Sequence, residues 1–344
     1  MPNLQIINPV DYPDWDKLIL STEKYTFFHS SVWAKVLSDA YKYKPLYFTE
    51  LINGGITTLI PILEVNSLLT GKRGISLPFT DHCEPIINRE DDFLSVIKLL
   101  NSYGKKSGWK YIELRGGKVP PGIAPSSSYC VHTLDLAENA EEIFKTFRSS
   151  TKRNIKKAAK EGVAVRISTS ANSIKEFYRL NCLTRKKHGL PPQPYYFFRK
   201  IFDHILSTDA GFVALASYHD KTIAASVYFH FGKKVIYKYG ASDLNYQHLR
   251  ANNLVMWEAI KWYCENGYEN FSFGRTEPYN KGLLQFKAGW AGKQETLNYY
   301  KYDLLQDKFV NNQSKITGLH SKILTKMPLF LLRILGSVLY SHVG

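Results

Sequence analysis

The spacing of apolar residues predicts alternating helices and strands along the first part of the chain. FFHSSVWAKVLSDAY (27–41) repeats apolar residues every three to four positions, which is the pattern of an amphipathic helix. The next segment, LYFTELINGGITTLIPILEV, holds two runs rich in β-branched and aromatic residues around Asn53-Gly54-Gly55. Because asparagine and glycine tolerate positive φ, this trio predicts a hairpin turn. A helix near 91–107 and strands at 109–117 and 131–136 follow.

The second part of the chain repeats the same kind of order. The periodicity predicts helices at 151–162, 172–188, 197–207 and 250–267, a meander of three strands from Gly211 to Ser242, and a strand at 268–274. The order βα-ββ-α-β thus occurs in both halves, which predicts a mixed α/β (α+β) fold in duplicate. We predict domains at 1–148 and 149–310, and a C-terminal helical tail at 311–344.

The tail is apolar and basic. The apolar run after Pro328 is shorter than the roughly 20 residues that a spanning helix requires, and it contains Arg333. Lys322, Lys326 and Arg333 beside a leucine-rich face are typical of an amphipathic helix on an anionic lipid surface. A helix that docks back on the first domain is the alternative.

Composition limits the classes of partner. The formal net charge of +15 favours an anionic partner, such as RNA, a lipid surface or a phosphorylated small molecule. No helix-turn-helix or zinc-finger pattern supports DNA binding. The four cysteines lie far apart and the histidines lack HxxxH spacing, so we expect buried thiols and no metal site. The N-terminus lacks a secretory signal pattern, which predicts a cytoplasmic protein.

The segment TKRNIKKAAKEG (151–162) predicts a strongly basic helix. Ser149 or Ser150 is its expected N-cap, and Gly162 is expected to end it in the left-handed conformation. Ile155, Ala158 and Ala159 form the predicted apolar stripe. Lys152, Arg153 and Lys156 lie close together on the polar surface, where they either are simply solvated or bind phosphates of RNA or of a nucleotide- or lipid-linked precursor.

The segment FSFGRTEPYNKGLLQFKAGWAG (271–292) holds the strongest candidate for chemistry. A buried strand is predicted to end at Gly274, and a loop from Arg275 leads into a helix with Lys287. The neighbours of Lys287 are mostly apolar, Trp290 among them. A lysine that is partly removed from water is costly unless it meets an anion, which marks Lys287 as a candidate site residue. A structural lysine that pairs with a carboxylate is the alternative.

Several motifs together resemble one family. RNIKKAAKEGVAV, HGLPPQPYYFF, IAASVYFHF, YKYGASD, NNLVMWEAIKWYCENGYENFSFGRT and GLLQFKAGWAG occur in this order, and FHSSVWAKVL, LPFTDH and YIELR fit loosely in the first half. This set resembles the FemABX-like group of the GNAT acyltransferase superfamily. The resemblance implies two tandem GNAT-like domains and transfer of an amino acid from aminoacyl-tRNA to the peptide of a cell-wall precursor.

The resemblance also implies roles for individual residues. Lys287 matches the lysine at the family's acyl-transfer centre, where it would stabilise developing negative charge. Arg275, Tyr239 and Ser242 match positions that line the same groove, with Trp290 beside them. Asp81 of LPFTDH matches an acidic residue that faces the acceptor and would accept the amine proton.

The sequence departs from two related patterns. Acetyl-CoA-binding relatives carry Q/R-x-x-G-x-G/A, whereas this chain places Arg250 and Asn252 at the glycine positions of Gln247–Asn252. Their side chains would block close approach of a pyrophosphate, although Arg250 itself would suit a phosphate. The stretch Pro191-Pro192-Gln193 lacks the arginine expected for a uridine-diphosphate-sugar acceptor.

Three functions therefore remain open at the level of sequence. The leading prediction is an aminoacyltransferase that uses aminoacyl-tRNA, needs no further cofactor and acts on an anionic nucleotide- or lipid-linked glycan precursor. Such an enzyme would work in the cytoplasm, with peripheral contact to the inner membrane surface. The alternatives are a CoA-dependent N-acyltransferase for an exopolysaccharide amino sugar and a non-catalytic scaffold that binds envelope glycans.

Overall fold

The computed structural model of the chain describes residues 3–89, 93–290, 292–311 and 323–343. The described residues form two compact units. Unit 1 takes those within Met1–Tyr129, Thr296–Lys315 and Leu339–Gly344, and unit 2 takes those within Cys130–Glu295 and Ile316–Val338. The predicted boundaries at 148 and 310 divide the chain differently and stay predictions about its domains.

In the described residues, unit 1 combines a mixed sheet with three α-helices and the end of the chain's last helix. Its strands are β1 (Gln5–Ile7), β2 (Lys44–Ile52), β3 (Gly55–Ser67), β4 (Gly71–Ile75), β5 (Ile86–Ile87), β6 (Tyr111–Arg115), β13 (Lys293–Asp303) and β14 (Lys308–Val310). Strand β13 belongs to unit 1 from Thr296 onward. The three helices of this unit are α1 (Trp15–Leu20), α2 (Ser31–Tyr41) and α3 (Phe93–Lys106). The main strand order is β1-β2-β3-β4-β6-β13. Only β4 and β6 are parallel among these neighbours.

Unit 2 has the same plan with more helices. Its strands are β7 (Ser127–Asp135), β8 (Ala164–Ser168), β9 (Gly211–Tyr218), β10 (Lys221–Phe231), β11 (Lys234–Ser242) and β12 (Asn270–Thr276). Strand β7 belongs to unit 2 from Cys130 onward. The helices of this unit are α4 (Ala140–Thr146), α5 (Ser149–Lys160), α6 (Ala171–Lys187), α7 (Tyr195–His204), α8 (Ala251–Glu265) and α9 (Lys281–Ala288). The last helix, α10 (Leu329–Val343), belongs to unit 2 up to Val338.

The strand order of unit 2 repeats that of unit 1. The order is β8-β9-β10-β11-β12-β7, and only β11 and β12 are parallel. In both units the parallel neighbours are joined by a helix, α3 in the first and α8 in the second, as a parallel connection requires. The predicted duplication of a mixed α/β fold is therefore confirmed.

Local signals explain many of the turns. Asn53 and Gly54 have φ of 51° and 77°, so the hairpin between β2 and β3 forms where the sequence predicted it. Gly162 follows α5 with φ of 82°, as a helix-ending glycine does.

Three local predictions were wrong. Helix α5 has Arg148 rather than a serine at its N-cap, because the Arg148 N–H is bound by the carbonyl of Gly289 (3.1 Å), and the helix begins at Ser149. Ala159 is exposed, and the buried residues of α5 are Thr151, Ile155 and Ala158. Cys83, Cys182 and Cys264 are buried as expected, but Cys130 is partly exposed.

In unit 1 the buried His29 links two segments of the chain, at Thr26 and Glu84, by hydrogen bonds. His29 is fully buried; its Nδ1 accepts from the Thr26 N–H (3.0 Å), so its Nε2–H donates to the carbonyl of Glu84 (2.9 Å). This pairing requires the neutral ring. Burial lowers the pKa of His29 to about 4.

We therefore expect acid to destabilise unit 1 through His29. In the unfolded chain His29 binds a proton near pH 6.5, whereas in the native protein its ring does so only near pH 4. The contribution of neutral His29 to the free energy of unfolding is therefore complete above pH 6.5 and is lost as the pH falls toward 4. The loss should approach about 3 kcal/mol. Urea unfolding at pH 7 and near pH 4 measures it, and His29→Gln should show a smaller difference than the wild type. Equal pH dependence in both proteins would contradict the assignment.

Within the described ranges, no helix is both long and apolar enough to cross a bilayer. The described residues also include no group of three or more His, Cys, Asp or Glu side chains placed to hold a metal ion. The predicted tail lies partly outside the described residues, which omit 312–322 and therefore Lys322.

Candidate active site

The sheet of unit 2 opens between its two parallel strands. Strands β11 and β12 pair only over Lys234–Ile236 and Asn270–Ser272. Beyond these residues β11 continues to Ser242 along β10, and β12 continues to Thr276 along β7. The carboxyl ends of the two parallel strands are thus not bonded to each other. In α/β sheets a crevice at such a position is the usual place for a ligand.

Strand β12 carries a β-bulge at this opening. Ser272 pairs with Thr133 and Arg275 with Val131, so Phe273 and Gly274 together lie opposite the single residue His132. Gly274 has φ of 69°, a conformation that glycine adopts without strain. A bulge interrupts the ladder and redirects backbone groups away from the neighbouring strand. The predicted end of this strand at Gly274 was wrong, because β12 continues through the bulge to Thr276.

The redirected carbonyl groups hold Lys287. Its Nζ donates to the carbonyl oxygens of Gly274 (2.8 Å) and Arg275 (3.1 Å). The side chain is 2% exposed, so the apolar neighbours predicted its burial correctly. Lys287 lies on helix α9. The start of this helix is fixed by its N-cap Asn280, whose side-chain oxygen accepts a hydrogen bond from the Leu283 N–H. Hydrogen bonds from an ammonium are stronger than neutral ones, so these two contacts fix the position of the nitrogen.

Sequence reasoning missed His132, which lies opposite the bulge. The ring is 1% exposed, and neither nitrogen has a hydrogen-bond partner of acceptable geometry among the described residues. Burial and the charge of Lys287 lower the pKa of His132; the charge of Arg148 adds to this effect, and the side chain of Gln294 opposes it. His132 is therefore neutral at pH 7, and a neutral imidazole has one nitrogen lone pair, which accepts no hydrogen bond of acceptable geometry from the described residues.

Two further buried polar atoms near the bulge have no partner among the described residues. They are the hydroxyl oxygen of Thr276, at the end of β12, and the indole Nε1 of Trp290, just after α9. An unsatisfied buried group costs about 1–3 kcal/mol, so such a cluster requires an explanation. A bound substrate or ordered water would supply the missing partners.

Trp290 itself is a core residue. It is fully buried and lies against Phe147 (ring centroids 5.1 Å apart) and Phe273 (6.4 Å). Of its atoms, Nε1 is the one with hydrogen-bonding capacity to offer a substrate. Its predicted role in substrate binding therefore reduces to this N–H group.

Tyr239 and Ser242 lie on β11, on the other side of the opening. Tyr239 packs against Phe177 (6.1 Å between ring centroids) and Phe198 (5.6 Å). Ser242 is fixed by Thr184, whose hydroxyl oxygen accepts from the Ser242 N–H (3.1 Å). The hydroxyl of Ser242 accepts from the Asn252 side chain at the start of α8 (3.2 Å). The structure therefore brings Tyr239 and Ser242 to one strand and Arg275 and Lys287 to the bulge.

Arg250 lies at the N-cap of α8 in the left-handed conformation. Its φ is 61°, its side chain is exposed, and its backbone N–H donates to the carbonyl of Gln247 (3.2 Å). This left-handed backbone conformation is one that glycine adopts most easily, but here the residue is an arginine. A helix N-terminus with a cation beside it favours an anion.

The basic helix α5 meets the segment that follows Lys287. The Arg148 N–H donates to the carbonyl of Gly289. Gly289 also packs so closely on α5 that a Cβ at this position would lie only 2.4 Å from the Thr151 hydroxyl. Arg153 and Lys156 are exposed, whereas Lys152 is half-buried and its Nζ donates to the carbonyl of Lys145 (2.9 Å). Two of the three predicted phosphate-binding cations therefore extend into solvent, and the third also supports α4.

Asp81 belongs to unit 1. It lies in the loop between β4 and β5, and its backbone carbonyl accepts from the hydroxyl of Tyr299 (2.6 Å). Lys287 belongs to unit 2, so the two predicted catalytic residues come from different units. The role of Asp81 stays a prediction.

Comparison with known proteins finds similarity to this chain. A family model described as an acetyltransferase (GNAT) domain matches residues 145–287, the segment that ends at Lys287. A curated relative from Weissella viridescens, UDP-N-acetylmuramoylpentapeptide-lysine N(6)-alanyltransferase, is 25% identical over 159 residues. The match covers 45% of this chain and 46% of the relative, so the chain spans about half the length of the curated relative that it matches.

Solved structures resemble most of the chain. FemX has a TM-score of 0.68 at 13% identity, with 89% of this chain and 98% of that chain covered. A tandem GNAT protein from the clavulanic acid biosynthesis pathway has a TM-score of 0.56 at 8% identity, covering 88% and 99%. L-PGS from Bacillus licheniformis has a TM-score of 0.54 at 12% identity, covering 92% and 98%. The predicted fold of two GNAT-like domains and the resemblance to the FemABX-like group are confirmed.

Proposed function

We propose that this chain is an aminoacyltransferase that forms an amide bond on an amine of a cell-envelope precursor. The observation that carries the proposal is the position of Lys287, whose buried ammonium group is held by the bulge at the open ends of β11 and β12. This position lies within the segment that matches the GNAT domain, and the curated relative is named as an alanyltransferase.

Lys287 would stabilise the charge that develops during transfer. When an amine attacks an activated acyl ester, the carbonyl oxygen becomes an oxyanion and the leaving oxygen gains negative charge. A fixed ammonium group in a site shielded from water stabilises such charge without reorganising. Because the carbonyl groups of Gly274 and Arg275 already orient the nitrogen, its position is set before the substrate binds.

As the new C–N bond forms and the ester C–O bond breaks, the attacking amine must lose a proton and the leaving oxygen must gain one; we assign acceptance of the first proton, and its delivery to the leaving oxygen, to His132. The ring is neutral, its nitrogens have no hydrogen-bond partner of acceptable geometry in the described part of the chain, and it is close enough to Lys287 for the lysine's charge to lower its pKa. A base close to an ammonium group stays unprotonated until substrate supplies the proton. Asp81, the acceptor predicted from the family resemblance, is the alternative.

We assign aminoacyl-tRNA as donor and an anionic nucleotide- or lipid-linked glycan precursor as acceptor. The exposed cations of α5 and the formal charge of +15 suit phosphates of either. Arg250 at the N-cap of α8 disfavours acetyl-CoA, since its side chain occupies a position where glycine would allow a pyrophosphate to approach the backbone. The enzyme would act in the cytoplasm, at the inner surface of the membrane.

The test is an incubation of the full chain with UDP-N-acetylmuramoyl pentapeptide, read by mass spectrometry. Bulk tRNA charged with amino acids should add one aminoacyl mass to the acceptor, and acyl-CoA esters should add none. Acyl transfer from CoA alone would instead establish the CoA-dependent acyltransferase. Binding of the acceptor without any transfer from either donor would favour the non-catalytic scaffold.

A further inference from the structure

One side of helix α10 docks closely on unit 2. Leu332 and Gly336 are buried, and a Cβ on Gly336 would lie only 2.0 Å from the carbonyl oxygen of Pro192. The guanidinium group of Arg333 lies 5.5 Å from the ring centre of Tyr178. Because only glycine permits the approach to Pro192, these contacts fix which side of the helix faces away from unit 2.

The side that faces away is apolar. Phe330 is 62% exposed, Leu331 40%, Ile334 58% and Val338 55%. Phe330, Ile334 and Val338 are spaced four residues apart and Leu331 lies three residues before Ile334, so the four side chains lie along one side of the helix. A contiguous apolar strip that a protein leaves in water marks an interaction site more often than scattered single residues do.

The charge around this strip selects the kind of partner. After Asp307 the sequence contains no Asp or Glu, and its charged side chains are Lys308, Lys315, Lys322, Lys326 and Arg333. Of these, Lys326 and Arg333 are exposed; Lys326 lies four residues before Phe330 in the chain, and the Arg333 guanidinium lies over Tyr178. An apolar face in a segment whose charged side chains are all cations complements a surface that is anionic outside and apolar beneath, which is the composition of an anionic bilayer leaflet.

We propose that α10 binds the surface of an anionic membrane. Phe330, Leu331, Ile334 and Val338 enter the boundary between headgroups and acyl chains, and Lys326 meets lipid phosphates. The helix lies in the plane of the interface, since its 15 residues are too few to span. This inference is independent of the proposed transferase activity, because it uses only the surface of α10.

The test is flotation of the full chain with lipid vesicles and no substrate. Vesicles that contain phosphatidylglycerol should carry the protein, and pure phosphatidylcholine vesicles should carry much less. Ile334→Asp should lower the partition coefficient by at least about tenfold, because it places a charge at the interface. Lys326→Glu should lower it about fivefold or more on the anionic vesicles alone.

Leu94→Asp is the matched control, since Leu94 is 61% exposed on α3 and distant in sequence from the strip. It should leave partition unchanged. Absence of wild-type binding to anionic vesicles would overturn the proposal, as would equal binding of the wild type and Ile334→Asp. A dimer in solution that Ile334→Asp converts to a monomer would assign the strip to a second copy of the chain instead. None of these outcomes bears on the transferase assay.

Discussion

Replacement of Lys287 by methionine should lower kcat by about 100- to 1000-fold, the usual effect of removing one donor to a developing oxyanion. Methionine has a similar length and prefers buried surroundings, so the core around α9 should remain filled. What disappears is the positive charge that the carbonyl groups of Gly274 and Arg275 hold at the bulge. Initial rates with charged tRNA and the pentapeptide precursor measure the effect, and thermal unfolding checks the fold.

Lys281→Met is the matched control for this prediction. Lys281 is exposed at the start of the same helix α9, so its loss changes the net charge by the same amount without changing the bulge. We expect this variant to keep its rate within about threefold, as surface substitutions usually have small effects. Comparable rates in Lys287→Met and Lys281→Met would remove Lys287 from the chemistry and leave it a structural lysine.

The fold was largely predictable because its signals are local. Hydrophobic spacing identified α2, α6 and α8, and the turn at Asn53-Gly54 and the end of α5 at Gly162 follow from residues that tolerate positive φ. The burial of Lys287 was predictable for the same reason, since its neighbours along one short helix are apolar.

The geometry of the candidate site was not predictable in the same way. The sequence FSFGRT fits a strand that ends at Gly274 as well as a strand with a bulge there. Which of the two forms depends on the register against Val131 and Thr133, about 140 residues earlier in the chain. The start of α5 depends likewise on a contact from Arg148 to Gly289 that no local pattern encodes.

His132 illustrates the limit most clearly. In the strand VHTLDL it is one histidine among alternating residues, and no spacing to another histidine, cysteine or carboxylate distinguishes it. Its significance arises only when β7 pairs with β12 and α9 brings Lys287 nearby. A signal for such a residue would have to come from long-range pairing, which a single sequence does not display.

Replacement of His132 by glutamine should lower kcat/KM by about 100-fold or more, if the ring accepts the proton of the attacking amine. Glutamine retains a polar side chain but cannot take up a proton near neutral pH. Asp81→Asn distinguishes the alternative acceptor: a large loss in Asp81→Asn with little loss in His132→Gln would transfer the role to Asp81.

The pH profile separates proton transfer at His132 from a merely structural role. Burial and the charge of Lys287 lower the pKa of the ring below 6.5, so the base is available at neutral pH and is lost only as the pH falls through that lowered value. The wild-type kcat/KM should therefore be flat around pH 7 and decline on the acid side, and His132→Gln should lack this decline. His188 is the control, since it is exposed at the end of α6 and its pKa is also lowered. His188→Gln should keep both the rate and the acid limb, whereas an unchanged acid limb in His132→Gln would show that another group carries the proton.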